Sequence, residues 1–273
     1  MSSPRGPALR SIGLHSLAVL FAVWILAPVY FISLAAFSTE DDVYTYPKKL
    51  TPTNLSTETL QFFLDSGGIR DALWTSIEVA AITLLITLAV GTPAGYALAR
   101  FAFRGAGAFR LAVVSTRAFP IVILSIPLAV TYLRTGLDDT SLGVAFIHTA
   151  LALPFTVLVT SSVFAGIPEE LEEAAMTLGC SRIGAFRRVA LPMALPGLAA
   201  AAIFTFIISW NEVFAASILT LENRTLPAEM LSSLNQSALP YRFAGGFFLM
   251  APALLVIFVI RKYLFTAWGR ITR

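Results

Sequence analysis

The chain has 273 residues, of which 57% are hydrophobic and only 13% charged, with a mean hydropathy of +0.78. An average soluble domain carries about 25% charged residues, and a soluble globule could not hide this much apolar surface without patches well above a few hundred Å², so the composition is that of an integral membrane protein. The net charge of +3 is spread along the chain and not gathered in one patch, which argues against nucleic acid, and the single Cys180 excludes a disulfide framework or a multi-cysteine metal site.

Crossing a ~30 Å hydrocarbon core takes about 20 helical residues. Six apolar runs meet that length: 14–37, 73–99, 111–133, 141–165, 195–219 and 243–260. They are continuously apolar, without the alternation of a barrel strand, which predicts an all-α protein. The first run follows Arg5 and Arg10 as a signal peptide would, but it is too long for a signal core and is read as a retained helix. With the N-terminus in the cytoplasm, twelve Lys and Arg fall on inner segments and six on outer ones, and ten of the sixteen acidic residues lie outside. That asymmetry predicts that both termini are cytoplasmic. The outer stretch 38–72 carries the turn formers Pro47, Pro52, Asn54, Gly67 and Gly68, and is expected to lie against the outer membrane surface.

The inner segment 166–194 is the long one. Pro168 followed by Glu169, Glu170, Glu172 and Glu173 is a helix start, and Gly179 a helix stop, which predicts a short helix over 168–178. Leu171, Ala174, Ala175 and Leu178 share one face at helical spacing, with Glu169, Glu172 and Glu173 on the other. A second helix is expected after Ser181, ending near Leu191-Pro192. A small-residue face suits close approach by another protein. A helix lying on lipid is the competing reading, but its glutamates would face anionic headgroups, where Lys and Arg are favoured.

The pattern Glu173-Ala174-Ala175, three residues, Gly179, nine residues, Val189, one residue, Leu191-Pro192 resembles the EAA motif of ABC importer permeases. The run Tyr96-Ala97-Leu98-Ala99-Arg100-Phe101-Ala102-Phe103-Arg104-Gly105 resembles the end of helix two in sugar permeases, and Trp210-Asn211-Glu212 with Leu226-Pro227 is similar to the smaller permease subunit of the maltose-transporter type. The resemblance implies one permease domain over 1–273, with six transmembrane helices and a cytoplasmic coupling helix: the type I ABC importer permease fold, in a bacterial or archaeal cell membrane. It further implies a homologous second permease, two ATP-binding subunits that hold ATP and Mg, and an extracytoplasmic solute-binding protein. This chain would bind no cofactor itself and would face membrane lipid. Glu173, Ala174, Ala175, Gly179, Leu191 and Pro192 would then couple to the ATPase. Two positions depart from the family: the tail reads Trp268-Gly269-Arg270-Ile271-Thr272-Arg273, and Thr75-Ser76 stands where Asn-Ser or Asn-Thr is common.

None of the three lysines follows a glycine, so there is no Walker A motif and ATP chemistry must come from a partner. His15 and His148 are the only histidines, and no catalytic set is visible, so an enzyme is disfavoured. Glu78, Arg117, His148 and Glu212 are ionisable residues within or at the spans, a costly placement often tied to function. Arg117 either snorkels to the inner surface, or lines the pathway or an inner gate, or pairs with a carboxylate on the homologous partner subunit. Asn211 and Glu212 are candidates for sugar hydroxyls in the pathway, with a structural hydrogen bond as the competing role. The solute implied is a sugar; alternatives are a polyol, a glycerol-3-phosphate-like compound or another small solute, and, from a different class, a scaffold that binds an ATPase without transporting.

Overall fold

The computed structural model describes residues 6–48, 50–51, 54–233 and 236–268, with helices and no strand among them. Pro52 and the tail from Gly269 lie outside the described residues. The chain divides into two compact units.

The first unit holds Met1–Gly67 and Leu234–Met250. Helix α1, Gly6–Ala36, includes the apolar stretch Ser11–Ala36, whose most apolar 18-residue window has no residue buried inside the chain, as expected of a span whose solvent is lipid; only Ala36 at its end is buried. The stretch after it is not a plain loop. Helix α2, Glu40–Tyr44, is capped by Thr39, whose hydroxyl accepts from the Asp42 N–H, and has three acids in its first turn. Helix α3, Glu58–Asp65, is tied back by Thr59 Oγ1 donating to the Ser38 carbonyl at 2.8 Å and buries Phe63. Phe63 packs on Tyr241 and Phe248, in the part of the last helix (Leu239–Trp268) that belongs to this unit.

The second unit holds Gly68–Ser233 and Ala251–Arg273. Its core is three apolar helices: α4, Ile69–Arg100; α7, Ser141–Ala165; and α10, Leu191–Asn211. Between α4 and α7 lie α5, Ala106–Ser115, a 3₁₀ turn Thr116–Ala118, and α6, Ile121–Thr135. Helices α4 and α7 run parallel, because Thr83 meets Ala145, Gly91 meets Thr156 and Thr160, and Gly95 meets Thr160. Helix α10 runs antiparallel to α7, with Thr156 opposite Thr205 and His148 opposite Ser209. The seam is made of glycines and hydroxyls because apolar side chains gain nothing by leaving lipid for one another. Close backbone approach and hydrogen bonds supply the attraction instead. Thr83, Thr87, Thr156, Thr160 and Thr205 are fully buried, and Thr160 Oγ1 donates to the Gly91 carbonyl at 3.0 Å.

Two expected elements differ from the structure. The run 111–133 is not one continuous helix: the stretches Ala106–Ala118 and Ile121–Thr135 meet at 89°. Pro120 explains the break, because its ring disfavours helical backbone in the residue before it, and Phe119 is extended (φ −84°, ψ 121°). Likewise 195–219 is interrupted at Glu212-Val213, after which α11 spans Phe214–Leu219 and α12 spans Leu226–Ser233. The run 141–165 coincides with α7.

Candidate functional site

The α4–α7–α10 bundle has two ends. At one, α4 and α7 finish and α10 begins. Here the chain leaves α7 at Gly166 and forms α8, Glu170–Thr177, inside the expected 168–178. The helix stops as the glycine signal predicts: Gly179 has φ +92°, its N–H donates to the Met176 carbonyl, and the Cys180 N–H donates to the Ala175 carbonyl. This paired bonding closes a helix on a left-handed residue.

The faces of α8 are not arranged as its amphipathic pattern suggests. Leu171, Ala174 and Leu178 face outward, Leu178 being 87% exposed, whereas Glu172 is 5% exposed. Glu172 is buried because both its oxygens have partners. Oε1 accepts from Arg100 Nε at 2.7 Å and Oε2 accepts from Tyr96 Oη at 2.5 Å. Arg100, the last residue of α4, also donates from Nη2 to the Ile167 carbonyl at 2.9 Å and lies 3.9 Å from Glu169. The Tyr96 ring packs against Phe164 at the end of α7 and against Phe186. The sequence pattern groups Glu172 with the solvated acids; the Arg100 that meets it lies 72 residues away and comes beside it only once the helices are assembled. Glu173 and Ala174 are exposed, and Ala175 is half-buried.

Past Ser181, which caps α9 (Arg182–Ala185) through its hydroxyl, the chain does not stop at Leu191-Pro192. It passes through a π-helical segment, Phe186–Ala190, directly into α10. The Leu191 N–H bonds to the Phe186 carbonyl, five residues back. That wider turn accommodates Pro192, whose ring would otherwise press on the carbonyl four residues earlier and whose missing N–H would break the ladder.

At the opposite end the Trp210-Asn211-Glu212 motif resolves into three roles. Trp210 is buried and stacks on Phe206. Asn211 is exposed, its amide donating to the Ile207 carbonyl at 2.9 Å. Glu212 sits in the break after α10. It accepts the Ala215 and Ala216 N–H groups at 2.9 and 3.1 Å, capping α11, and lies 3.2 Å from His148 Nε2. His148 is fully buried, with Nδ1 2.9 Å from Ser209 Oγ. The Leu226 N–H donates to Ser76 Oγ at 2.7 Å, so the Thr75-Ser76 position seats α12 on α4. Glu78 accepts from Ser141 Oγ at 2.8 Å. Arg117 lies apart from these groups, exposed in the 3₁₀ turn at the α5–α6 bend. Asp139, which the sequence did not single out, gathers the Leu221, Glu222 and Asn223 N–H groups on one oxygen at 2.8–3.1 Å, from a left-handed backbone (φ 52°).

Apolar helices packed through hydroxyls and glycines, with a short helix holding leucines away from the bundle, define a multi-pass membrane protein. Residues 91–269 match the family described as binding-protein-dependent transport system inner membrane component, and the chain belongs to that family. It is a transporter permease subunit and not an enzyme. It is 30% identical over 252 residues to the probable ABC transporter permease protein YurM of Bacillus subtilis (strain 168), covering 89% of this chain and 82% of that one. It is 33% identical over 215 residues to the trehalose transport system permease protein SugB of Mycobacterium tuberculosis (strain CDC 1551 / Oshkosh), covering 79% and 77%. In fold it is similar to a chain of a bacterial ABC transporter involved in the import of the acidic polysaccharide alginate, with a TM-score of 0.76 at 21% identity, covering 97% of this chain and 99% of that one.

Proposed function

We propose that this chain forms half of the translocation pathway of an ATP-driven sugar importer, together with a homologous permease. Two ATP-binding subunits carrying ATP and Mg would dock at α8, and a solute-binding protein outside the cell would deliver the sugar. The observation that carries this reading is the outward leucine face of α8, set among exposed glutamates at the end of a membrane bundle. Such a face is suited to a cleft on a protein, and the acids argue against a lipid surface. Arg100, Arg104, Arg110, Arg182, Arg187 and Arg188 fall at the α8 end of the bundle, against Arg70, Arg134 and Arg224 at the other, which supports a cytoplasmic α8; the distribution of Lys and Arg over the whole sequence supports cytoplasmic termini. The sugar substrate is supported by the motifs shared with sugar permeases and by the trehalose system among the relatives.

In this reading Glu173, Ala174, Ala175 and Gly179 shape the docking helix, and Leu191-Pro192 begins the helix that follows it. Asn211, exposed at the outer end, is the better pathway candidate of the Asn211–Glu212 pair, and Arg117 at the α5–α6 bend is a second. The test is ATP hydrolysis by the complex reassembled in nanodiscs with its genomically adjacent subunits, against a panel of sugars, polyols and glycerol phosphodiesters, with and without the binding protein. Stimulation by one sugar, only with its binding protein, is the expected result. Stimulation by none in an intact complex would remove the sugar-import assignment.

A further inference from the structure

Helix α8 follows α7 in the chain and leads through α9 and the π segment into α10, yet its polar attachments go elsewhere. Its buried glutamate is held by α4, through Tyr96 and Arg100, some seventy residues earlier in the chain. Arg100 grips the segment at three successive places: the Ile167 carbonyl before α8, Glu169 at its entry and Glu172 within it. Tyr96, one helical turn before Arg100 on the same face of α4, adds a second bond to Glu172 while its ring rests on Phe164 and Phe186. The apolar packing of Phe164, Ile167, Ala190 and Ala194 would hold this end together without any charge. A buried ion pair is a poor way to gain stability, because desolvation offsets most of the attraction. It is a good way to fix one geometry, since a guanidinium with several bonds to one segment resists sliding and rotation where apolar surfaces do not.

We infer that Tyr96, Arg100 and Glu172 form the joint through which displacement of α8 is transmitted to the membrane helices, and that α4 is the helix it moves. They are positioning residues: none faces the docking surface, since Glu172 and Arg100 are both buried by the chain itself. The N-terminal half of α8 is fastened to α4 by these bonds, α8 also packs on α9 and the π segment, and Leu178 and Gly179 at its other end are exposed. A push on the exposed end reaches α4 through the Tyr96 and Arg100 bonds. This inference rests on the docking reading of α8 given above.

The test uses the complete reassembled complex and three variants. Tyr96→Phe removes one hydroxyl and keeps the ring packing. Arg100→Lys keeps the charge but cannot bond Glu172 and Ile167 together. Arg100→Met with Glu172→Leu replaces the pair by apolar groups of similar size. The readout is solute transported per ATP hydrolysed, alongside recovery of the assembled complex. The paired apolar variant is expected to assemble at normal yield and lose about fivefold or more of this ratio, within the range of ordinary coupling free energies, with the two single variants falling between it and the wild type. A merely structural role would lower yield and leave the ratio unchanged. Wild-type ratios in the paired variant would overturn the inference; should that variant not assemble, wild-type ratios in both Tyr96→Phe and Arg100→Lys would do so. A wild-type complex that transports nothing in response to any solute would instead overturn the importer reading on which the inference stands.

Discussion

Glu212 gives the sharpest test of how the motif residues divide between pathway and scaffold. Replacing it with Ala removes the cap of α11, worth about 1 kcal/mol, and orphans the Ala215 and Ala216 N–H groups that its carboxylate now accepts. It also leaves His148, fully buried, with Ser209 as its remaining side-chain partner. A buried polar group left without its partner costs about 1–3 kcal/mol, so together with the cap the loss is about 2–4 kcal/mol. For a chain of this length that corresponds to a fall in unfolding temperature of roughly 4–16 °C, at about 2–4 °C per kcal/mol. Glu212→Gln keeps the shape and one accepting oxygen, but its NH₂ cannot accept, so one backbone N–H is orphaned; His148 can still be met by choosing its tautomer. The expected loss is about 1–2 kcal/mol. Asn211→Ala removes an exposed bond to its own helix and should cost under about 0.5 kcal/mol. Intrinsic tryptophan fluorescence during heating in detergent reads all three, and uptake by the reassembled complex reads function separately. Wild-type unfolding of Glu212→Ala, combined with a changed apparent affinity for solute, would refute the scaffold assignment and return Glu212 to the pathway.

Gly95→Ala should destabilise the bundle by about 1–3 kcal/mol, the usual cost of overpacking, because the new Cβ would overlap the Thr160 hydroxyl and come within 2.8 Å of the Ser161 backbone nitrogen. Gly107→Ala, with open space around it, should unfold at the wild-type temperature in the same assay. Leu178→Asp and Glu173→Lys should abolish co-purification of the ATP-binding subunits while leaving the unfolding temperature of this subunit within about 2 °C of wild type, since both residues are exposed. Gly179→Asp should also uncouple the complex, through strain at φ +92° and not through a clash, so Gly179→Asn should be milder. Asp139→Ala should accelerate hydrogen exchange of the Leu221, Glu222 and Asn223 amides by about tenfold each, one hydrogen bond's worth, with Asp139→Asn intermediate.

The spans and the short helix were legible because they rest on local signals: hydropathy over twenty residues, Pro168 and acids at a helix start, Gly179 at its end. What escaped depends on neighbours distant in the chain. Of the prolines inside the apolar runs, Pro28, Pro93, Pro127 and Pro154 sit within unbroken helices, and Pro120 alone of these five coincides with an 89° break. A single sequence carries no sign of which proline will do this, since kinking and breaking differ in how the freed carbonyls are satisfied by surrounding structure. Leu191-Pro192 read as a stop for the same reason, until the π segment gave the ring room. His148 and Glu212 were each visible as costly residues in an apolar context, but their pairing, across 64 positions, was not. Ser76, which keeps the family pattern, is used by Leu226, 150 positions on, and nothing in the structure explains Thr75 in place of Asn.

The inverted faces of α8 connect these local and distant levels. Burying a leucine side chain gains about 1.5–3 kcal/mol, so an isolated α8 would do better to turn Leu171 and Leu178 toward the bundle and its glutamates toward water. Turning it by half a revolution would break the Arg100 and Tyr96 bonds to Glu172 and leave a buried arginine without its carboxylate, at about 3–5 kcal/mol. The two effects are of similar size, and the cap at Gly179 together with the Arg100 bond to the Ile167 carbonyl tips the balance toward the observed orientation. The bundle thus holds an apolar face where the chain alone gains nothing from it. In the docking reading proposed above, that arrangement would become favourable once another protein covered Leu171, Ala174 and Leu178, and the same bonds that keep the face turned outward would tie the covering protein to α4.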